Sequence, residues 1–274
     1  MTVAAVLVAA AIGVLVAERV TEPEALWTPD YGKLDMGVYV AGMGNELSDD
    51  DYLTLLRQTG LGKDGVDSVL SAGGNASALF AEYQEMFFDP PEYTCFKVGI
   101  ATMEEHFLDD EGKYRRVFQI ADVRDGDILV TKGTHTLGWR HGHAGIVIDA
   151  ERGKTLEAVF PGTPTAVQNL SKWRTFPSFI QLRHKDREIG DEAALIAAET
   201  FSGVPYSLLS GVFSKHDENQ TTTQCAHLPW FAYLRLGYDL DSNGVWPVTP
   251  KDLANSGHLE IVQVFGVCPD ALWN

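Results

Sequence analysis

Two residues of the 274-residue chain could together perform covalent catalysis, Cys225 and His143. The thiolate is the nucleophilic form of cysteine, and a helix N-terminus or a neighbouring imidazole stabilises it. Three threonines, Thr221 to Thr223, precede Cys225 as candidate helix caps, and the apolar residues after it predict a helix that ends near Leu236. Cys225 would then lie in the first turn, where the helix dipole is positive. The alternative is that Cys225 is simply a small buried side chain.

A base for this thiol is available in the sequence His141-Gly142-His143, which leads directly into the apolar run from Ala144 to Ile148. An imidazole at the start of an apolar strand is held rigidly, and a small residue such as Gly145 lets another chain approach closely. His143 is therefore the candidate base. His141 fits better as a capping or solvent-facing histidine, and it is a candidate substrate-binding residue.

A histidine base needs a third group that fixes its tautomer, and the next strand along the chain can supply it. Glu157 interrupts the apolar run from Leu156 to Val159, and the segment between His143 and Glu157 is long enough for a hairpin. Residues on adjacent antiparallel strands come within contact range, so Glu157 is the candidate orienting group. Two alternatives remain open, since Glu157 could face outward from an amphipathic strand and Gln168 could orient the histidine instead.

The N-terminal segment, residues 1–20, contains an apolar run from Val3 to Ala17 that predicts an export signal or a membrane anchor. The run is shorter than the roughly 20 residues that cross a bilayer, and it lacks the positive region that opens a signal peptide. We expect an exported, cell-envelope or membrane-anchored protein that contacts the membrane only through this segment.

The remaining chain predicts two further parts, residues 21–115 and residues 116–274, and an α+β fold. The first part is a linker with room for one short strand (Glu24 to Met43) and an acidic helical module, with helices after the cap Ser48 and from Ala76 to Phe88. The second part is an antiparallel sheet packed against helices. Its expected elements are strands at Val117–Ile120, Ile128–Thr131, Ala144–Ile148, Thr155–Val159 and Phe179–Leu182, and an alanine-rich helix at Asp191–Phe201.

Composition excludes several classes of function. A formal net charge of -17 disfavours binding to nucleic acid or to an anionic lipid surface, because phosphate contacts need clustered Lys and Arg. Three cysteines, Cys95, Cys225 and Cys268, are too few for a disulfide scaffold and lack the short paired spacings of a zinc site. We therefore expect no metal and no cofactor, and the sequence does not indicate an oligomeric state.

Six short motifs, taken in chain order, resemble a known family. They are Gly126-Asp-Ile-Leu129, His141-Gly-His-Ala-Gly-Ile-Val147, Leu156-Glu-Ala158, Gly203-Val-Pro-Tyr206, Gln224-Cys-Ala-His-Leu228 and Val248-Thr-Pro-Lys-Asp-Leu253. Together they resemble the YiiX-like branch of the permuted NlpC-type cysteine hydrolases, and the order of histidine, orienting residue and cysteine is also that of the lecithin:retinol acyltransferase group. The resemblance covers residues 125–264 and says nothing about residues 1–115.

The resemblance implies a circularly permuted papain-like fold and a role for each matching residue. It makes Cys225 the nucleophile, His143 the base and Glu157 the orienting group. Tyr206 would be a wall or a hydrogen-bond donor beside the thiolate, and the backbone amide of Cys225 would help to stabilise the oxyanion.

The chain departs from the family after the cysteine. Ala226-His227-Leu228-Pro229 stands where members commonly have Ser-Glu-Leu-Val, and the proline predicts a helix that starts late or kinks. His227 could also compete with His143 as the imidazole partner of the thiol.

The predicted function is hydrolysis of an amide or peptide bond through an acyl-enzyme on Cys225. Its substrate would be a peptide or acyl amide of the cell envelope, such as a peptidoglycan stem peptide. One alternative is a lipid ester or amide hydrolase or acyltransferase with the same triad, in which aromatic residues such as Trp139 line the substrate groove. The other is a degenerate domain that binds without turnover, with the acidic helical module as its interaction surface.

Overall fold

The sheet at the centre of the molecule is antiparallel and six-stranded. A computed structural model of the protein describes residues 26–44, 46–73, 75–99, 101–210 and 220–273, so the apolar run of residues 3–17 lies outside the described residues. The strands of the described part are β1 (Thr94–Lys97), β2 (Thr102–His106), β3 (Ile128–Thr131), β4 (Thr134–Thr136), β5 (His143–Asp149), β6 (Lys154–Glu157), β7 (Ala166–Asn169), β8 (Phe179–His184) and β9 (Leu259–Phe265). The large sheet has the order β7-β6-β5-β3-β8-β9, and a smaller antiparallel sheet has the order β1-β2-β4.

Helices cover the sheet and form a separate layer near the N-terminus. They are α1 (Met36–Gly42), α2 (Asp49–Thr59), α3 (Lys63–Ser71), α4 (Ala76–Phe88), α5 (Arg187–Phe201), α6 (His227–Leu234) and α7 (Pro250–Ala254), with a 3-10 helix at Leu170–Thr175. In the described part of the chain, no helix is both long and apolar enough to cross a membrane. The α+β class with antiparallel sheets and packed helices is therefore as expected.

The two faces of the large sheet bury different side chains, because successive residues of a strand point to opposite faces. On one face, Val130 of β3 and Ile146 of β5 pack against α5 and α6, where the alanines of α5 allow close approach. On the other face, Leu129 and Val147 pack into an aromatic cluster that includes Trp173. Both faces are thus buried, and β3 is accordingly buried along its whole length.

The N-terminal helices α1 to α4 have a small core of their own and cover one edge of the large sheet. The backbone of Gly60 and Gly62 bonds to β9, with Val264 N donating to Gly60 O at 2.7 Å and Gly62 N to Val262 O at 2.9 Å. A Cβ at Gly62 would lie 1.8 Å from the carbonyl oxygen of Ile261, so only glycine fits there. These contacts satisfy the edge strand and protect it from pairing with another chain.

Three expectations about elements outside the large sheet were wrong. The expected linker contains the helix α1, which Asp35 caps by accepting from Val38 N. The acidic module, predicted to be helical, also contains the hairpin of β1 and β2. Residues 117–120 do not form a strand, because their backbone bonds instead to the 3-10 helix and to the side chain of Gln263, whose Nε2 donates to Gln119 O at 2.8 Å.

Candidate active site

Cys225 lies just before α6 and not in its first turn. The helix begins at His227, Ala226 is its N-cap, and no side chain of the threonine run caps it. No side chain caps its first turn, but Gln224 holds the segment before it, since its Oε1 accepts from Ala226 N at 2.8 Å while its Nε2 donates to Val248 O at 2.7 Å. Pro229 stands in the first turn, where its missing N–H leaves no bond unmade. Of the two outcomes expected from the proline, the late start is the one observed.

His143 and Glu157 are in direct contact, as the pairing of adjacent strands predicted. The carboxylate oxygen Oε2 of Glu157 accepts from Nε2 of His143 at 2.7 Å. The register of β5 with β6 places Glu157 opposite Gly145, with His143 diagonally adjacent on the same face. A Cβ at Gly145 would lie 2.8 Å from Cγ of Glu157, so this glycine makes the room for the carboxylate.

Glu157 is completely buried and has further partners that hold it in one position. Its Oε1 accepts from Thr155 Oγ1 at 2.6 Å and from Trp173 Nε1 at 3.1 Å, and Lys172 Nζ lies 2.5 Å from its Oε2. Burial would raise the pKa of this carboxyl, but the bond from His143 and the charge of Lys172 lower it to about 2. Glu157 is therefore ionised at neutral pH.

The roles of Lys172 and Trp173 beside the base were missed by sequence reasoning. Both lie in the 3-10 helix between β7 and β8, and the indole of Trp173 stacks on the ring of His143 with centroids 5.5 Å apart and planes 11° from parallel. No periodic pattern or motif in the sequence relates this helix to β5. The indole and carboxylate together leave His143 little freedom to rotate.

The thiol of Cys225 neighbours the imidazole of His143 at the start of β5, and 9% of Cys225 and 8% of His143 are exposed. The thiol also lies 3.5 Å from Oε1 of Gln224, to which it can donate. Burial alone would lower the pKa of His143, but contacts with Cys225 and Glu157 outweigh it and raise the pKa to about 9. Since Glu157 occupies Nε2, Nδ1 is the ring nitrogen that remains for the thiol. The buried imidazole thus lies between a potential nucleophile and a carboxylate.

Tyr206 also lies beside Cys225. The chain around Tyr206 pairs with the segment that leads into the cysteine, through a parallel bridge between Tyr206 and Thr223 and a bond from Ser207 N to Thr223 O at 2.8 Å. Burial and the negative charge of Cys225 raise the pKa of the Tyr206 phenol, so it remains a hydrogen-bond donor at neutral pH.

His141 and Trp139 lie in the loop between β4 and β5, close to His143 in sequence but held differently. Both ring nitrogens of His141 have partners, with Nε2 2.9 Å from Thr136 Oγ1 and Nδ1 2.8 Å from Gly142 O. Burial lowers the pKa of His141. Trp139 is 57% exposed and contacts the His141 ring edge-on at 5.5 Å. Their predicted role in substrate binding stays a prediction.

The two competing residues of the sequence argument lie elsewhere. Gln168 is on β7, opposite Thr155, while Glu157 makes the contact with the base. His227 is fully buried among aromatic rings, and its Nδ1 lies 3.0 Å from Thr223 Oγ1. Burial lowers its pKa to about 4, so it is neutral where His143 is charged.

Comparisons with known proteins add no relative to this geometry. No family model matches the chain, and neither a curated protein nor a solved structure matches it.

Proposed function

We propose that this protein is a cysteine hydrolase with a circularly permuted papain-like fold, in which Cys225, His143 and Glu157 form the catalytic triad. The observation that carries the proposal is the position of His143 between the thiol and the buried carboxylate. The chain order of base, orienting residue and nucleophile is that of the YiiX-like family, which the sequence motifs resemble.

The charges of the site support an imidazolium at His143 as the resting state. With a pKa of about 9, His143 is protonated at neutral pH. In the proposed acylation step, the Cys225 sulfur attacks the carbonyl carbon and the imidazolium donates its proton to the departing amine. The neutral imidazole then takes a proton from water, which attacks the thioester and releases Cys225. Glu157 keeps its charge throughout and fixes the orientation of the ring.

Tyr206 and the backbone at Cys225 are the proposed donors to the oxyanion. The phenol remains protonated because burial and the Cys225 charge raise its pKa, and a neutral O–H beside the sulfur can donate to the developing negative charge. The amide of Cys225 lies one residue before the N-cap of α6, where backbone N–H groups point out of the helix.

The proposed substrate is a peptide or amide of the cell envelope, such as a peptidoglycan stem peptide, which fits the proposed export or anchoring of the chain through residues 1–20. Exposed apolar side chains near the site favour a second candidate, a lipid ester or amide hydrolase or acyltransferase. Leu208 and Leu209, just after Tyr206, are 62% and 68% exposed, and Trp139 is exposed in the neighbouring loop.

Digestion of purified murein and of mixed phospholipids by the full-length protein and by Cys225→Ala tests both candidates. Products that require Cys225 and are released from murein support the amidase, and products from phospholipid support the lipid enzyme. Cys268→Ser serves as the matched control, because it removes a free thiol of the described structure outside the site. Equal product release by wild type and Cys225→Ala would refute Cys225 as the nucleophile. No product from either substrate would favour a binding domain without turnover.

A further inference from the structure

A second group of reactive side chains lies on the small sheet, away from the proposed triad. Cys95 of β1 and Glu105 of β2 are directly opposite each other, and His135 follows on β4. One ligand atom from each of the three residues lies within 4.8 Å of the other two. In the part of the chain that the structure describes, this is the one group of three Cys, His or acidic residues with that spacing.

The contacts of His135 distinguish this group from a catalytic triad. Sγ of Cys95 is 3.5 Å from Nε2 of His135, and Oε1 of Glu105 is 3.8 Å from the same Nε2. An acid–histidine–thiol relay needs two different ring nitrogens, one for each partner, as in the contacts of His143. Here the thiol and the carboxylate approach a single nitrogen. Three donor atoms that converge on one point are the arrangement of a metal site.

The spacing agrees with that of a tetrahedral zinc ion. Zinc bonds of about 2.3 Å to sulfur and about 2.0–2.2 Å to nitrogen or oxygen place ligand atoms about 3.6 Å apart for S and N, and about 3.4 Å apart for N and O. The separations of 3.5 Å and 3.8 Å therefore require adjustments of a few tenths of an ångström. The third pair, Sγ of Cys95 and the carboxylate oxygen of Glu105, lies within 4.8 Å, against about 3.6 Å for S and O on zinc.

We propose that Cys95 Sγ, His135 Nε2 and Glu105 Oε1 bind a Zn²⁺ ion, with water as the fourth ligand. Arg140 would form the outer shell, because its guanidinium donates to Oε2 of Glu105 at 2.6 Å and to Oε1 at 3.0 Å. These two hydrogen bonds fix the plane of the Glu105 carboxylate. A carboxylate oxygen can accept from Arg140 and bind a metal ion at the same time. Cys95 is exposed, so the ion has a path from solvent.

The site would join all three strands of the small sheet. β4 leads into the loop that carries Trp139 and ends at His143, so a bound ion would stabilise the segment in front of the proposed triad. The zinc site does not depend on the proposed hydrolase activity. The sequence did not reveal it, because β-sheet pairing brings its ligands together and they are not close to one another in the chain.

Metal titration of the full-length protein tests the proposal, with Co²⁺ as the spectroscopic probe and Zn²⁺ as its competitor. The parent protein is Cys225→Ala, which removes the other thiol and imidazole pair. We expect one equivalent of Co²⁺, with the thiolate-to-metal charge-transfer band and the visible spectrum of a tetrahedral ion. Zn²⁺ should displace it and raise the Tm by about 5 °C at about 100 times its Kd.

Cys95→Ser and His135→Gln should each abolish the charge-transfer band or weaken binding at least tenfold, whereas Cys268→Ser should leave both unchanged. A Tm of each variant without metal close to that of the parent separates loss of ligands from loss of folding. Sub-stoichiometric binding, or an unchanged Co²⁺ spectrum in Cys95→Ser, would overturn the proposal. If a variant at Cys95 or His135 does not fold, zinc-protected alkylation of Cys95 in the parent decides the question, because a bound thiolate must react more slowly.

Discussion

Replacement of Glu157 by glutamine isolates the effect of the buried carboxylate on His143. Glutamine retains the shape of the side chain and an oxygen for Thr155 and Trp173, but it removes the negative charge at Nε2 of His143. Burial lowers the pKa of His143, yet contacts with Cys225 and Glu157 raise it from 6.5 to about 9. A pKa difference of 1 corresponds to about 1.4 kcal/mol, so the folded site favours protonated His143 by about 3 kcal/mol relative to an unperturbed histidine.

We expect the pKa of His143 to fall by about 2 in Glu157→Gln, within the range that one nearby opposite charge commonly produces. At pH 8 the protonated fraction would decrease from about nine-tenths to about one-tenth, so the alkaline limb of kcat/KM would move from about pH 9 to about pH 7. Titration of the ring by NMR measures this pKa without a substrate and therefore does not depend on which bond is cleaved.

Glu104→Gln is the matched control. Burial opposes the ionisation of Glu104, but a bond to His106 and the charges of His143 and Lys172 lower its pKa, so it lies in the same electrostatic neighbourhood. Its hydrogen bond goes to His106 and not to His143. We expect the pKa of His143 to change by less than about 0.5 in this variant. An unchanged pKa in Glu157→Gln, or an equal decrease in both variants, would refute the assignment of Glu157 as the group that tunes the base.

Three further predictions concern packing, the second imidazole and pH. In urea unfolding, Gly145→Ala should lower the free energy of unfolding by about 1–3 kcal/mol, because the added Cβ would press on Glu157. Gly257→Ala is the control, since a Cβ there meets open space, and it should change the free energy of unfolding by less than about 0.5 kcal/mol. His227→Phe should retain the iodoacetamide reactivity of the active-site thiol at pH 7, whereas His143→Ala should reduce it; equal losses would mean that both imidazoles matter. Folding raises the pKa of His143, so its contribution to the free energy of unfolding is complete below about pH 6.5 and is lost as the pH rises through about 9. Over that interval the free energy of unfolding, measured by urea unfolding, should decrease by about 3 kcal/mol more in wild type than in His143→Gln.

The sequence predicted the part of the site that follows from strand periodicity. Alternation places every second residue on one face, and pairing of successive strands brings His143 and Glu157 together. Short runs of β-type residues bounded by turns predicted β3, β5, β6 and β8 to within a few residues. These elements depend on local pattern, and local pattern is what a single sequence contains.

The sequence could not predict features that depend on the packing of distant segments. Lys172 reaches Glu157 because a 3-10 helix crosses the sheet there, and nothing in the pattern of that helix indicates its position. The chain just before α6 is held by Gln224, which bonds to Ala226 N and to the distant carbonyl of Val248. Cys95 and His135 meet only because β2 lies between their strands.

Lys172 also explains how charges can be buried at the proposed triad. A thiolate at Cys225 and a carboxylate at Glu157 bring two negative charges into a site where Glu157 is fully buried, and unpaired buried charge is strongly unfavourable. One imidazolium at His143 balances only one of them. The ammonium of Lys172, 2.5 Å from the carboxylate and with 31% of its side chain exposed, supplies the second positive charge while it stays in contact with water. Glu157 can therefore remain ionised after His143 gives up its proton, which is the state that the second half of the proposed reaction requires.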